Sequence, residues 1–192
     1  KLNNYSITQA DFGVYQTDAL LKMLSVLDND VSIDLVKAEE KAISIDAKDS
    51  GAKVRYMLSD LSVINTPPQL KQIPEFELLL NVDKTFVSKF ISGKGALPDT
   101  ESFTVISGDK TEVVIGYSSI ATNRVAVPVE NQTDNTIDNI SFNANLFKDV
   151  LEANKECESA VLEVSSEGLA RIKFNVNDYE STYYLVAVQN VN

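Results

Sequence analysis

Three segments of this chain carry one pattern, and their spacing limits what it can fold into. Thr17-Asp18-Ala19-Leu20-Leu21-Lys22-Met23-Leu24, Asp83-Lys84-Thr85-Phe86-Val87-Ser88-Lys89-Phe90-Ile91 and Asn143-Ala144-Asn145-Leu146-Phe147-Lys148-Asp149-Val150-Leu151 each open on Thr, Asp or Asn. Each then sets apolar residues at its fourth and fifth positions and again one turn later. A side-chain oxygen at the first position accepts from the free amides of a first helical turn. Apolar pairs one turn apart make the one-sided stripe of a packed helix. The starts lie 66 (83 − 17) and 60 (143 − 83) residues apart, a near-constant period that marks a repeated supersecondary unit.

The flanks repeat as well. A strand-like run precedes each helix, over 12–16, 76–82 and 140–143. Three more follow: 31–35, 42–45 and 53–58; then 103–106, 112–117 and 124–129; then 160–164, 170–176 and 183–188. Polar or glycine-bearing turns separate them, among them Gly108-Asp109-Lys110 and Glu167-Gly168. The expected unit is β-α-β-β-β. Arg171-Ile172-Lys173-Phe174-Asn175-Val176 alternates apolar with polar, as in a strand with one face buried and one wet. Helix stripes are the natural cover for such a face, which gives an α+β fold with helices on one side of antiparallel sheets.

Residues 64–74 hold Pro67, Pro68 and Pro74, and so read as an extended, semi-rigid connector. The expected division is a first domain over 1–63, the connector over 64–74 and a second domain over 75–192. Residues 130–139 are polar without proline, an intradomain crossover. Two units follow the connector but one precedes it, and Tyr5-Ser6-Ile7-Thr8 reads as the last strand of another. Symmetry wants four units, so the first domain is expected to be N-terminally incomplete.

Composition excludes much. There is no His, the commonest general base and metal ligand. The lone Cys157 stands between Glu156 and Glu158, a poor setting for a thiolate, and it cannot form an internal disulfide. No phosphate-cradling glycine spacing occurs, and the acidic clusters 28–30 and 46–49 sit in apparent turns. The chain is expected not to be an enzyme and to need no cofactor or metal. No apolar run approaches a membrane span and no signal core opens the sequence, so no membrane partner is expected and a cytoplasmic setting is the default. The net charge of −11 argues against simple adhesion to nucleic acid, but what matters is where the positive residues lie.

Two pairs of such units about a proline-bearing connector resemble the organisation of DNA sliding clamps. Asp11-Phe12-Gly13-Val14-Tyr15 leading into 20–30, the stretch from Ile115 through Ala121-Thr122-Asn123-Arg124-Val125, and Tyr183-Tyr184-Leu185-Val186-Ala187 are similar to clamp segments. The local sequence resembles that of the T-even-type phage clamps, DNA polymerase processivity factors of the proliferating cell nuclear antigen-like superfamily. The resemblance implies a DNA-clamp fold and a homo-oligomeric ring, a trimer in these types. Helices would line a hole through which duplex DNA passes without regard to sequence. A DNA polymerase would be tethered to the ring, and an ATP-driven clamp loader would open and close it. A phage-encoded clamp would act in the cytoplasm of the infected host cell.

On that reading Lys22, Lys84, Lys89, Lys94, Lys148 and Lys155 are the DNA-facing candidates. Lys84 is off its helix's stripe and Lys89 lies near the border. Lys94 follows Gly93, where the helix is expected to end. Lys148 and Lys155, two turns apart, share a polar face beside the expected stripe of Leu146, Phe147, Val150 and Leu151. The bland reading is that exposed lysines are simply solvated, and Asp149, Glu152 and Glu156 dilute the third helix. The resemblance further implies a groove for hydrophobic tails of partners, formed by Ile64, Pro67, Leu70 and Ile73 with Tyr184 and Val186. These residues would equally close an interdomain core, a reading as good for Ile64 and Val186. It implies subunit contacts along Lys53, Val54, Arg55 and Tyr56 and along Arg124, Val125 and Val127. The alternative is a non-catalytic structural or adhesive phage-like β-protein, whose helices need show no charge polarity.

Overall fold

The computed structural model describes residues 10–66, 70, 72–120, 122–176 and 179–188, which divide into two compact units, Lys1–Leu70 and Lys71–Asn192. The strand expected at residues 5–8 lies outside the described residues. In the first unit, helix α1 (Thr17–Leu24) is followed by β1 (Ser32–Ala38), β2 (Lys41–Lys48) and β3 (Lys53–Met57), an antiparallel sheet in the order β1-β2-β3. Helix α1 packs on β3. Gln16, not Thr17, occupies its N-cap, and no side chain caps it. The strand expected over 12–16 is reduced to one bridge, Gly13 to Ser59. A Cβ at Gly13 would stand 2.7 Å from Ser59 O and 2.8 Å from Ile64 Cγ1, so only glycine lets the two segments approach this closely. Asp49 ties two loops together, its carboxylate accepting from the amides of Asp28, Gly51 and Ala52.

The second unit contains two interlocked modules. The first is β4 (Leu78–Asp83), α2 (Lys84–Ala96), β5 (Ser102–Ile106), β6 (Glu112–Ile115) and β7 (Val125–Pro128). The second is β8 (Ile140–Asn143), α3 (Ala144–Ala153), β9 (Ser159–Val164), β10 (Leu169–Val176) and β11 (Tyr179–Val186). The strand that opens each module pairs with the other module, giving antiparallel sheets β11-β10-β9-β4 and β7-β6-β5-β8. Residues 130–132 run beside β4, where Asn81 N donates to Glu130 O (2.9 Å) and Gln132 N to Leu79 O (2.8 Å). Glu77 fastens the crossover: its carbonyl accepts from Thr133 Oγ1 and Asn135 Nδ2, while its carboxylate accepts from the amide and hydroxyl of Ser166.

Both sheets turn one face toward α2 and α3. Leu78, Leu80 and Val82 of β4, Phe103 and Val105 of β5, Phe142 of β8, and Ile172 and Phe174 of β10 are buried there with Phe86, Phe90, Phe147 and Leu151 of the helices. Phe90 joins the modules, meeting Phe147 edge-on at 4.9 Å and Phe103 at 5.3 Å between ring centres. The second and third helices are capped as the sequence predicts. Asp83 Oδ1 accepts from Phe86 N (2.7 Å) and Asn143 Oδ1 from Leu146 N (2.9 Å).

Three expectations fail in detail. Gly93 does not end α2; the helix continues to Ala96, and a Cβ at Gly93 would lie 2.8 Å from Val125 Cγ1 of β7. Glycine is there for close helix-to-strand packing. The buried stripe of α3 is Ala144, Phe147 and Leu151, with Val150 half-buried and Leu146 56% exposed, because Phe147 rather than Leu146 reaches the aromatic cluster. Nor is the far face of the second sheet wet throughout: Thr104 and Ser141 are buried there and share a hydrogen bond of 2.8 Å, and Val114 is buried too.

Candidate nucleic-acid interface

The solvent side of α2 and α3 is the candidate surface. Because the aromatic stripes point into the sheets, the polar positions of both helices are left outward together. Lys84 and Lys89 are exposed on α2. Lys84 Nζ lies 3.3 Å from Glu158, an exposed pair that joins the start of α2 to the approach to β9. Lys148 is half-exposed on α3 and pairs with Glu152 one turn on, at 3.2 Å.

Two lysines are not where the sequence suggested. Lys94 lies inside α2 and is 4% exposed; its ammonium donates to Leu97 O (3.4 Å) and Pro98 O (2.8 Å). It closes the C-terminus of its own helix by bonding the two carbonyls just past the helix end, of which Leu97 O also accepts from Thr100 N (3.1 Å). It is therefore not on the solvent face. Lys155 is exposed but lies beyond α3, which ends at Ala153, so it shares no helix face with Lys148. The helix stops because the Asn154 side chain donates to Val150 O (2.8 Å) and to the Tyr183 hydroxyl (3.1 Å), pinning the end to β11. Lys22 is exposed in the last turn of α1, in the first unit.

The residues expected at a partner groove are distributed over both units. Ile64 is half-buried against Gly13, and Leu70 is 44% exposed. Pro67 lies outside the described residues. In the second unit Ile73 is exposed, as are Tyr184 (38%) and Val186 (71%), which share one face of β11. The surroundings of Tyr184 hold a feature that sequence reasoning missed. Arg171, directly across the strand pair from Tyr184, forms a two-point bond with Glu163 and lies 4.6 Å over the Phe76 ring. Alternation placed Arg171 on a polar face; that Glu163 of β9 stands directly opposite it could not be read without the turn geometry.

The strands expected at subunit contacts are sheet edges among the described residues. On β3, Val54 and Tyr56 point inward and are buried, while Lys53 and Arg55 are exposed. Arg55 grips Asp46 at 2.8 and 2.6 Å, and this bond holds the Asp46 carboxyl below the usual carboxylate range. Arg124 precedes β7 rather than belonging to it; Val125 faces α2 and Val127 is buried. Cys157 is buried, its thiol donating to Ser159 O (3.1 Å), which is a packing role. Among the described residues no helix is long and apolar enough to cross a membrane, and no group of metal-ligating side chains forms.

No family model and no curated protein sequence matches the chain. Solved structures do. The chain is similar to proliferating cellular nuclear antigen from Entamoeba histolytica, with a TM-score of 0.65 and 15% identity over 89% of this chain and 69% of that one. Together with the interlocked β-α-β-β-β modules, that likeness shows that this chain has the α+β sliding-clamp fold.

Proposed function

We propose that this chain is the subunit of a ring that encircles duplex DNA and tethers the replicative DNA polymerase as a processivity factor. The observation that carries the reading is the placing of α2 and α3 on one side of the two sheets of the second unit, within a clamp fold. A protein that surrounds DNA needs only loose contacts, because closure rather than affinity retains it. A net charge of −11 then discourages side-on adhesion without opposing passage through a hole. The open edges of β3 and β7 are where subunits would join strand to strand, in a homotrimer. Within the second unit, the exposed Tyr184 and Val186, with Ile73, would receive hydrophobic tails of the polymerase and of the clamp loader.

The test is topological. With a clamp loader and ATP present, the chain should be retained on primed circular DNA through gel filtration and be released when the circle is cut. Equal retention on cut DNA would refute encirclement.

A further inference from the structure

The two helices of the proposed DNA face are electrostatically unlike. Helix α2 carries Lys84, Lys89 and Lys94 and has no Asp or Glu along its length. From the start of α3 to the approach to β9, residues 144–158 set Lys148 and Lys155 against Asp149, Glu152, Glu156 and Glu158. Burial removes Lys94 from the α2 face, which leaves Lys84 and Lys89. Around them Thr85, Ser88 and Ser92 are all exposed, and with Lys89 they fall at i, i+3, i+4 and i+7, a single line along the helix. On α3 the exposed positions are Asn145, Leu146, Asp149, Glu152 and Ala153, which offer an approaching phosphate two carboxylates and an apolar side chain.

Ion pairing separates the helices further. Lys148 is engaged by Glu152 on its own helix, so the pair moves with α3 and presents little net charge. Lys84 pairs with Glu158 across exposed side chains, and such pairs are weak and readily exchanged for another anion. Lys89 has no ion pair among the described residues.

We infer that α2, and not α3, tracks the DNA phosphates in this unit, through Lys89 and Lys84 with the hydroxyls of Thr85, Ser88 and Ser92 beside them. Helix α3 is an acidic flank that limits how tightly the backbone is held. The inference rests on the reading that this helix face meets duplex DNA. Physically it gives an interface with few counterions to release, which suits movement along the duplex better than a uniformly basic lining.

The experiment titrates the full chain into a short, blunt-ended, fluorescently labelled duplex over a series of salt concentrations, reading anisotropy. The variants are Lys89→Gln, the pair Lys148→Gln with Lys155→Gln, and the pair Asp149→Asn with Glu152→Gln; circular dichroism confirms that each is folded. Lys89→Gln should flatten the slope of log affinity against log salt by about 0.9, for the one phosphate that is no longer neutralised. The Lys148 and Lys155 changes together should flatten it by less than Lys89→Gln alone, and Asp149→Asn with Glu152→Gln should tighten binding. A larger effect from the Lys148 and Lys155 changes than from Lys89→Gln overturns the inference while leaving DNA association intact. No salt-dependent association by the unaltered chain overturns it as well. If retention on circular DNA also fails, the parent reading falls with it.

Discussion

Two glycines of α2, two residues apart, should respond in opposite ways to the same substitution. Alanine in place of a helical glycine ordinarily stabilises by about 0.5–1 kcal/mol, through the backbone freedom that glycine loses on folding. At Gly95 a new Cβ meets nothing within 4 Å, so Gly95→Ala should gain that amount or somewhat less so near the helix end. At Gly93 the new Cβ would lie 2.8 Å from Val125 Cγ1 and 3.3 Å from Ile115 Cδ1. Ordinary carbon contacts begin at ~3.5 Å. Val125 is β-branched and stiff about χ1, so relief requires moving β7 or α2 rather than turning a side chain. Overpacking of this kind costs about 1–3 kcal/mol. Both variants share the propensity gain, so the overpacking cost is the difference between them. With a urea slope of about 1–3 kcal/mol per molar, the Gly93→Ala midpoint should fall roughly 1 M below that of Gly95→Ala. The helical circular dichroism signal is the readout, because α2 and α3 supply most of it. Adding Val125→Ala to Gly93→Ala should recover stability beyond additivity, by about 0.5–3 kcal/mol. Coincident midpoints for the two glycine variants, or no coupling to Val125, would refute the packing explanation.

Lys94→Met should destabilise the second unit by about 1–3 kcal/mol, because Pro98 O loses its lysine donor and Leu97 O is left with the Thr100 amide, and should leave the salt dependence of DNA association unchanged. A flattened salt slope with an unmoved urea midpoint would return Lys94 to the proposed DNA face. In the first unit, hydrogen bonds hold the carboxyls of Asp46, Asp49 and Asp60 below the ordinary Asp range: from Arg55 first for Asp46, from the Asp28 amide first for Asp49, and from the Ser62 amide first for Asp60. A carboxyl depressed in the folded state adds stability above its unfolded value, about 3.9, and loses it as pH falls through the lower folded values. The urea midpoint of that unit should therefore drop on acidification below this value, and Asp49→Asn should reduce the dependence; a flat profile would refute it.

What was legible in the sequence was whatever local chemistry decides. Helix α1 was expected over Thr17–Leu24 and is found there; Asp83 and Asn143 cap as their side chains predict. Strand order and the sharing of modules were not local matters. The pairing of β4 with β9 and of β8 with β5 follows from the two modules interlocking, which no hairpin signal announces. Gly93 misled for the same reason: a glycine near a helix end looks like a C-cap until the strand beneath it is known. Lys94 was placed in solvent because a lysine has no local reason to be buried, and its reason, the Leu97 and Pro98 carbonyls within reach of its ammonium, exists only once the helix has continued past Gly93. The Lys84–Glu158 pair, 74 residues apart in sequence, lay equally beyond reach.

The interlocking of the modules also sets an order in time. Hairpins such as β10–β11 and β5–β6 join neighbours in the chain and close quickly. Strand β4 has no such neighbour: Leu78 must find Val164, with the whole first module and the third helix between them. Closing so long a loop costs entropy before any pairing repays it, which makes non-local pairing slow. As the chain leaves the ribosome, the first module therefore waits with the β9-facing edge of β4 unpaired until β9 has emerged. The residues most in need of protection during synthesis are those most deeply buried when folding ends.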